Sequence, residues 1–443
     1  MPTVARAWMI AATAGFAIVG CIFELKYAVG GTVSGLTGHG LVLQDNSGND
    51  LGVSSDGPFT FTKGIKNSGS YSVTVKAQPS SPSQTCTIRN GSGTIDQADV
   101  TNVLISCTQA GRFAYVANLI SNDVWVYSID SATGALTLIG SPIAFSTTAP
   151  TSLLVDPNGR FLYVVNNGSN NVSVFSIDGS TGALTSAGLP HTTGSGPEAA
   201  AIDPAGKYLF VANSASNSVS AYAIDSSSGL LTELSNSPFL VGSRPSSLKV
   251  HPNGNFLYVT NPGSGTVSAL AIDSATGSLT PISGSPFGAG AGAQSIALDA
   301  AGTFAYVANV TAATISEFSI NASTGVLTPV SGSPLPTGTS PESVVVDAAG
   351  HYVYAANVTA INEVATYSIT PSSGALTLSG SPIAAGTFPI GMVLDPSGLW
   401  AYVVNDNSND ISVYAVDATT GVLTKASGSP FGAGNQPRSI AID

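Results

Sequence analysis

Residues 256–280 read FLYVTNPGSGTVSALAIDSATGSLT, and this stretch decides the fold. Two short apolar runs flank a turn rich in Pro, Gly and Ser, and a second turn, DSATG, follows. Gly, Pro, Asn, Asp and Ser supply the backbone angles and local hydrogen bonds that tight turns require. The stretch therefore predicts short strands joined by turns.

The same pattern occurs seven times. Each copy begins at an aromatic residue followed two places later by Tyr or Phe, and successive copies are 47 or 48 residues apart. The copies begin at Phe113, Phe161, Tyr208, Phe256, Phe304, Tyr352 and Trp400. A period near 50 with strand patterning is typical of four-stranded propeller blades, and no window sustains the 3.6-residue apolar period of a helical solenoid. We predict an all-β chain with a seven-bladed β-propeller.

One copy predicts how each blade is built. TSLLVD (151–156) is a continuous apolar run, which predicts an inner strand covered on both faces. RFLYVVN (160–166) follows as a second strand. NVSVFSID (171–178) alternates apolar and polar residues, as in a strand with one wetter face, and ALTSAG (183–188) is a weak outer strand.

The end of the chain predicts how the ring closes. PRSIAID (437–443) repeats the inner-strand pattern and then stops. We expect it to pair with the strand that begins at Phe113, which leaves no inner edge unpaired. The rival for that place is NVLISC (102–107), which lacks the Pro-x-Ser lead-in of most other copies.

Short motifs in the repeat resemble a known family. YVTN (258–261), its variants YVAN, YVVN and YAAN, and the recurring TGxLT are similar to YVTN-type β-propellers. Their superfamily includes the bacterial 6-phosphogluconolactonase-like lactonases, and the resemblance covers residues 108–443. In those enzymes the lead-in commonly reads Pro-Arg-His and the second strand often ends in Asn-Glu. This chain has PRS at 437–439 and ND at 405–406, so the lactonase combination of Arg, His and Glu is at best half present.

The composition excludes several functions. The formal net charge is −12 and the pI is about 4.5, which argues against a nucleic-acid partner. No metal-ligand spacing, phosphate loop, nucleotide fingerprint or GxSxG motif occurs, so we predict neither a metal nor a cofactor.

The first 21 residues resemble the export signal of a bacterial lipoprotein. Arg6 precedes a mostly apolar stretch at 7–20, too short for a membrane-spanning helix, and IVGC at 18–21 resembles a lipobox. We predict lipidation of Cys21 and an exported, lipid-anchored envelope protein. Ile22, rather than Asp, favours the outer membrane by the sorting rule of such lipoproteins. An ordinary cleaved signal or an unprocessed anchor is the alternative.

Residues 29–108 predict a separate small β-sandwich. Short strand-like runs alternate with Gly, Ser and Asn turns. In an oxidising compartment, Cys86 and Cys107 favour a disulfide over a metal or redox site. We expect a spacer or adhesive role for this domain and assign residues 109–443 to the propeller.

Residues that recur in every blade are predicted to be structural. One Asn ends the second strand of all seven copies, and we expect its amide to bond the backbone of the following turn. An Asp follows most inner strands, and His251 takes its place in one copy. We interpret this position as a structural part of the next turn.

Candidate site residues are those that differ between blades. The position after Pro (Ala in one copy) in the lead-in is predicted to ring one mouth of the central channel. These ring residues are Thr151, Glu198, Ser246, Gln294, Glu342, Ile390 and Arg438. Asn167 and Asp406 would extend the site, and His191 lies in a loop from which it could approach Glu198. The alternative is a solvated rim without function.

The sequence favours a non-catalytic platform for an envelope protein, a glycan or a small ligand, in a chain that we expect to be monomeric. The alternative is a lactone hydrolase, with Arg438 binding the lactone and Glu198 or Glu342 activating water. A third hypothesis is a purely structural spacer.

Overall fold

The structure is a computed structural model that describes residues 25–36, 39–79, 84–109, 113–145, 148–358, 360 and 362–443. The lipobox and Cys21 lie outside the described residues. The chain divides after Gln109 into two compact units. Within the described ranges, no helix is long and apolar enough to cross a membrane.

The first unit contains two four-stranded sheets that share one apolar core. One sheet has the strand order Gly57–Thr60, Val29–Ser34, Val100–Gln109 and Gln84–Arg89. The other has the order Asn49–Val53, Leu41–Asp45, Ser70–Ala77 and Ser92–Thr94, and a small ladder pairs Lys26–Tyr27 with Ile65–Lys66. Cys86 and Cys107 face each other across adjacent strands and form a disulfide.

The second unit is a ring of seven antiparallel sheets, numbered here as blades 1 to 7. The innermost strands of blades 1 to 7 are Pro437–Ile442, Pro150–Val155, Pro197–Ile202, Ser247–Val250, Ala293–Leu298, Ser340–Val346 and Pro389–Leu394. The second strands are Phe113–Asn118, Phe161–Asn166, Tyr208–Asn213, Phe256–Asn261, Phe304–Asn309, Tyr352–Val358 and Trp400–Asn405. This all-β architecture confirms the predicted fold class.

The outer part of each blade contains three more strands. The third strands are Asp123–Ile129, Asn171–Ile177, Ser218–Ile224, Thr266–Ile272, Thr314–Ile320, Glu363–Ile369 and Asp410–Val416. The fourth are Leu136–Leu138, Leu184–Ser186, Leu231–Glu233, Leu279–Pro281, Leu327–Pro329, Leu376–Leu378 and Leu423–Lys425. A fifth, two-residue strand also pairs with each third strand: Ile143–Ala144, His191–Thr192, Phe239–Leu240, Phe287–Gly288, Leu335–Pro336, Ile383–Ala384 and Phe431–Gly432.

The C-terminal strand closes the ring. Pro437–Ile442 pairs antiparallel with Phe113–Asn118, and the Phe113 N–H donates to the Asp443 carboxylate at 2.6 Å. The rival segment 102–107 lies in Val100–Gln109 of the first unit. Each apolar cluster of the propeller joins two neighbouring blades, and one joins blade 7 to blade 1. The core of this unit therefore lies between the blades.

The strand covered on both faces is the second strand, not the inner one. Phe161–Asn166 is buried throughout, whereas Pro150–Val155 is largely half-buried because the innermost strands border a central cavity. The third strand Asn171–Ile177 is mostly buried too, since blade 1 packs against the face with Ser173 and Phe175, which we expected to be wetter.

The recurring Asn is fully or almost fully buried in every blade, but its main partners are not the backbone of the next turn. Asn166 donates to the side chains of Asn171 and Ser173 at 2.9 Å, both on the adjacent strand. The same pattern of side-chain partners recurs in blades 3, 4, 5 and 7. The recurring Asp accepts backbone N–H bonds, as when Asp156 accepts from Arg160 and Phe161.

Candidate functional site

A central cavity of about 670 Å³ runs between the innermost strands, and all seven ring residues line it. In six of the seven blades, the pairing of the innermost strand shifts by one residue where the ring residue stands, as at Glu198 between Pro197 and Ala199. A bulge of this kind redirects one side chain and often lies beside an active site. Here it directs the ring residues towards the cavity mouth.

Glu198 is held in place by two hydrogen bonds to the same carboxylate oxygen. Asn167 Nδ2 donates to Glu198 Oε1 at 3.2 Å, and Ser214 Oγ donates to it at 3.3 Å. Burial raises the pKa of Glu198, while the Ser214 bond and the charges of Arg438 and Arg244 act in the opposite direction. The other carboxylate oxygen has no partner among the described residues.

Glu342 and Arg438 belong to the same site. Burial raises the pKa of Glu342, and the charge of Arg438 opposes that rise. The charge of Arg438 acts to lower the pKa of both glutamates, and Arg438 stands two blades from each of them around the ring. Arg438 therefore lies between the two glutamates. Glu342 accepts no hydrogen bond from the residues that the structure describes.

Asp406 is the partner of Arg438. Its carboxylate is buried and lies 3.4 Å from Arg438 Nε, whose side chain is about one third exposed. Burial raises the pKa of Asp406, and the charge of Arg438 opposes this. Asp406 is therefore placed to hold the guanidinium rather than to meet a ligand itself.

Thr151, Ser246 and Gln294 also line the cavity. The hydroxyls of the first two donate to backbone carbonyls of the next blade, at Pro197 and Gln294 respectively. Each of these contacts ties two blades together. Of these three residues, Gln294 alone has a side chain that forms no hydrogen bond with the residues that the structure describes.

Within the described part of the chain, no histidine lines the cavity. The His191 Nε2 accepts a hydrogen bond from Leu231 N at 3.4 Å, so His191 does not approach Glu198. Burial lowers its pKa. His251 is buried against the Gly302 carbonyl, and Ser439, which replaces the lactonase His, accepts from Leu153 N. No group of three or more possible metal ligands occurs in the described ranges either.

Sequence reasoning missed several of the residues that line the cavity. Lys249 lines the cavity at an inner-strand position where the other blades carry Leu, Ala or Val, and its side chain is exposed there. The surrounding strands lower its pKa by desolvation. Comparison between blades, which had selected the ring residues, would have found it. Leu119 and Phe388 also line the cavity, but no repeat signal marked them.

The model of one protein family, described as lactonase, seven-bladed β-propeller, matches residues 105–244 and 242–436. The chain belongs to the lactonase seven-bladed β-propeller family. This membership overturns the prediction of a non-catalytic binding platform, because the family favours the alternative, a lactone hydrolase. It also confirms the resemblance to lactonase-like propellers that the repeat motifs indicated.

Solved structures of similar fold include three from bacteria. A proposed 6-phosphogluconolactonase from Bacteroides uniformis has a TM-score of 0.67 and 19% identity, covering 76% of this chain and 100% of that one. A second, from Bacteroides fragilis, has a TM-score of 0.66 and 20% identity, covering 76% and 99%. A periplasmic gluconolactonase from Pseudomonas aeruginosa has a TM-score of 0.64 and 21% identity, covering 75% and 98%. At such identities the likeness establishes the fold alone. No curated protein matches the chain.

Proposed function

We propose that this lactonase-family protein hydrolyses lactones at the mouth of the propeller cavity. The observation that carries the proposal is the grouping of two half-buried glutamates around one arginine in that cavity. Carboxylates whose pKa values are raised by burial are suited to general acid–base work, and a cationic donor stabilises the charge that develops on a carbonyl oxygen.

Arg438 binds the lactone carbonyl oxygen in this proposal. Its Nε faces the buried Asp406 carboxylate, so the planar guanidinium is oriented before the substrate arrives. A donor that is already in position needs no reorganisation when the reaction occurs, and it therefore stabilises the tetrahedral oxyanion effectively.

Glu198 acts as the general base. The bonds from Asn167 and Ser214 engage Oε1 and leave Oε2 to accept a proton from water. That water attacks the carbonyl carbon, the ring C–O bond breaks, and the released alkoxide takes a proton from Glu342, whose pKa is raised by burial. The product is the open-chain hydroxy acid.

The first prediction concerns turnover of the purified full-length chain. We expect hydrolysis of δ-valerolactone or δ-gluconolactone, followed by acid release with a pH indicator. Glu198→Gln should lower kcat by about 100-fold or more, because a positioned base contributes 10²–10⁴-fold. Arg438→Met should lower kcat by about 100- to 1000-fold, the loss measured when an oxyanion donor is removed.

Glu363→Gln is the matched control. Glu363 lies in blade 6, as Glu342 does, is half-buried, and does not line the central cavity. Its rate should equal that of the unmodified protein. Absence of turnover above the buffer blank, or full activity in both site variants, would refute the proposal.

A further inference from the structure

The cavity mouth has one apolar side, which the proposed chemistry does not use. Leu119, Phe388 and Ile390 line the cavity where blades 7 and 1 meet, beside Arg438. Other ring positions carry polar or charged residues, so Ile390 is the exception among seven. Ile390 is only half-buried and borders the cavity.

Phe388 occupies this place against its backbone preference. Its φ is +62°, in the left-handed region that bulky residues rarely adopt. Two hydrogen bonds hold it there: its N–H donates to Asn362 Oδ1 at 3.3 Å, and its carbonyl accepts from Asp406 N at 2.9 Å. Corresponding positions in other blades carry small, polar or charged residues with positive φ: Ala149, Gly196, Arg244, Gly292 and Gln436. The backbone conformation therefore belongs to the repeat, and what distinguishes blade 7 is the large aromatic side chain that it places at the cavity.

Close approach of the two innermost strands brings the apolar side next to Arg438. A Cβ on Gly391 would lie 2.9 Å from Val404 Cγ2 and 3.0 Å from the Arg438 carbonyl oxygen, closer than side chains tolerate. Glycine here lets the blade 7 strand approach the blade 1 strand. Ile390, immediately before Gly391, therefore lies on the strand next to Arg438, whose guanidinium approaches Asp406 of the same blade 7.

The opposite side of the cavity is polar, with Glu198 and its partner Asn167, then Ser246 and Gln294. A lactone whose carbonyl meets Arg438 would therefore have an apolar surface on one side and the catalytic base on the other. We propose that the substrates are lactones bearing an alkyl or aryl substituent, which packs against Leu119, Phe388 and Ile390. This inference rests on the proposed function and narrows its substrate class.

The test compares lactones that share one reactive ring. For each lactone, kcat/KM is divided by the rate constant for its hydrolysis by hydroxide, which corrects for intrinsic reactivity. This ratio should be about tenfold or more higher for δ-nonalactone than for δ-valerolactone, because even one methylene in an apolar pocket is worth that much. The variant Phe388→Gln/Ile390→Thr should lose this dependence on chain length, mainly through KM. Both replacements occur in the repeat itself, as Gln436 and Thr151, and so suit the local backbone.

Leu240→Thr is the control, because Leu240 is 79% exposed and does not line the cavity. It should keep the chain-length dependence. Hydrolysis of δ-gluconolactone and δ-valerolactone without any gain for δ-nonalactone would overturn the inference while leaving the proposed function intact.

A binding measurement separates the two proposals completely. Calorimetry with δ-valerolactam and its 6-butyl derivative, which resist hydrolysis, should show about tenfold tighter binding of the butyl compound. If no lactone is turned over, the proposed function fails. The lactam comparison still tests whether the apolar side binds an alkyl substituent, and equal affinities of the two lactams would overturn that inference.

Discussion

Glu198 shows how single residues gain chemistry from a repetitive scaffold. Its carboxylate is half-buried at the cavity, which disfavours the charged form, yet it accepts hydrogen bonds from Asn167 and Ser214 that favour the charged form. Burial is the larger effect, so the pKa of Glu198 is raised above its ordinary value of 4.5. The same side chain on an outer turn would remain an ordinary, ionised surface group.

The pH dependence of turnover follows from this balance. A general base must be deprotonated, so kcat/KM should fall as the pH drops through the raised pKa of Glu198. In Ser214→Ala the carboxylate loses a donor that favours its charged form. Its pKa should rise further, and the acid limb of the profile should move to higher pH.

Ser216→Ala, two residues away and bonded to Ser218 instead, should leave that limb in place. The measurement is kcat/KM for δ-valerolactone across the acid range in the three proteins. An acid limb that Ser214→Ala leaves unmoved would contradict the role of Glu198 as base.

At the scale of the strand and turn, two repeat signatures meet across the blade boundary. The Tyr258 hydroxyl donates to the Gly325 carbonyl of the next blade at 2.9 Å, and the ring of Phe256 packs on the same glycine. Comparable contacts recur around the ring. The aromatic-x-Tyr and TGxLT motifs therefore recur together because each blade provides one side of a contact and its neighbour provides the other.

Gly325→Ala tests this contact. The residue has a φ of +72°, and a Cβ there would lie 2.5 Å from the Phe256 ring. Left-handed backbone costs a non-glycine residue about 1–2 kcal/mol, and the clash adds about 1–3 kcal/mol. Gly398→Ala is the matched control, because its φ is +71° and no atom lies within 4 Å of the added Cβ.

Calorimetric melting should show Gly325→Ala about 2–4 °C or more below Gly398→Ala, since each kcal/mol shifts the Tm of a large domain by that amount. Equal Tm values for the two variants would mean that the packing of Phe256 on Gly325 adds nothing to stability.

At the scale of the whole molecule, ring closure and the site depend on the same strand. Pro437–Ile442 completes blade 1, packs Ile440 between blades 7 and 1, and carries Arg438. Without it, Phe113–Asn118 would become an unpaired inner edge, which is prone to aggregation. Ring closure and the proposed catalytic role can nevertheless be separated, because the arginine side chain lines the cavity and the backbone forms the ladder.

Deletion of residues 437–443 should abolish the soluble, cooperatively melting protein, because it removes a whole strand of the ladder and part of the core. Arg438→Met, in contrast, should remain soluble and melt cooperatively, with a Tm lowered only by the loss of the ionic partner of Asp406, while losing turnover. Size-exclusion chromatography and calorimetry distinguish the two. A truncated chain that remains soluble and melts at the original temperature would show that closure by this strand is dispensable.

Much of the fold could be predicted from local chemistry. The 47- or 48-residue period, the turn-forming Asp and Gly residues and the repeated final strand are local signals, and each predicts one unit and its place in the ring. The prediction that the inner strand is the buried one was wrong, because apolar composition does not tell whether a strand borders a protein neighbour or a cavity. The prediction of a binding platform was wrong for a related reason: the missing lactonase His was read as missing activity.

The amino-acid sequence by itself determined the all-β class, the number of blades and the strand that closes the ring, since repetition and turn chemistry act over a few residues. Only the tertiary structure decided which side chains share a site. Glu198, Glu342 and Arg438 lie on innermost strands far apart in the chain and meet only when the ring closes. The raised pKa values of Glu198 and Glu342 depend on burial among those strands, and burial is a property of the closed ring.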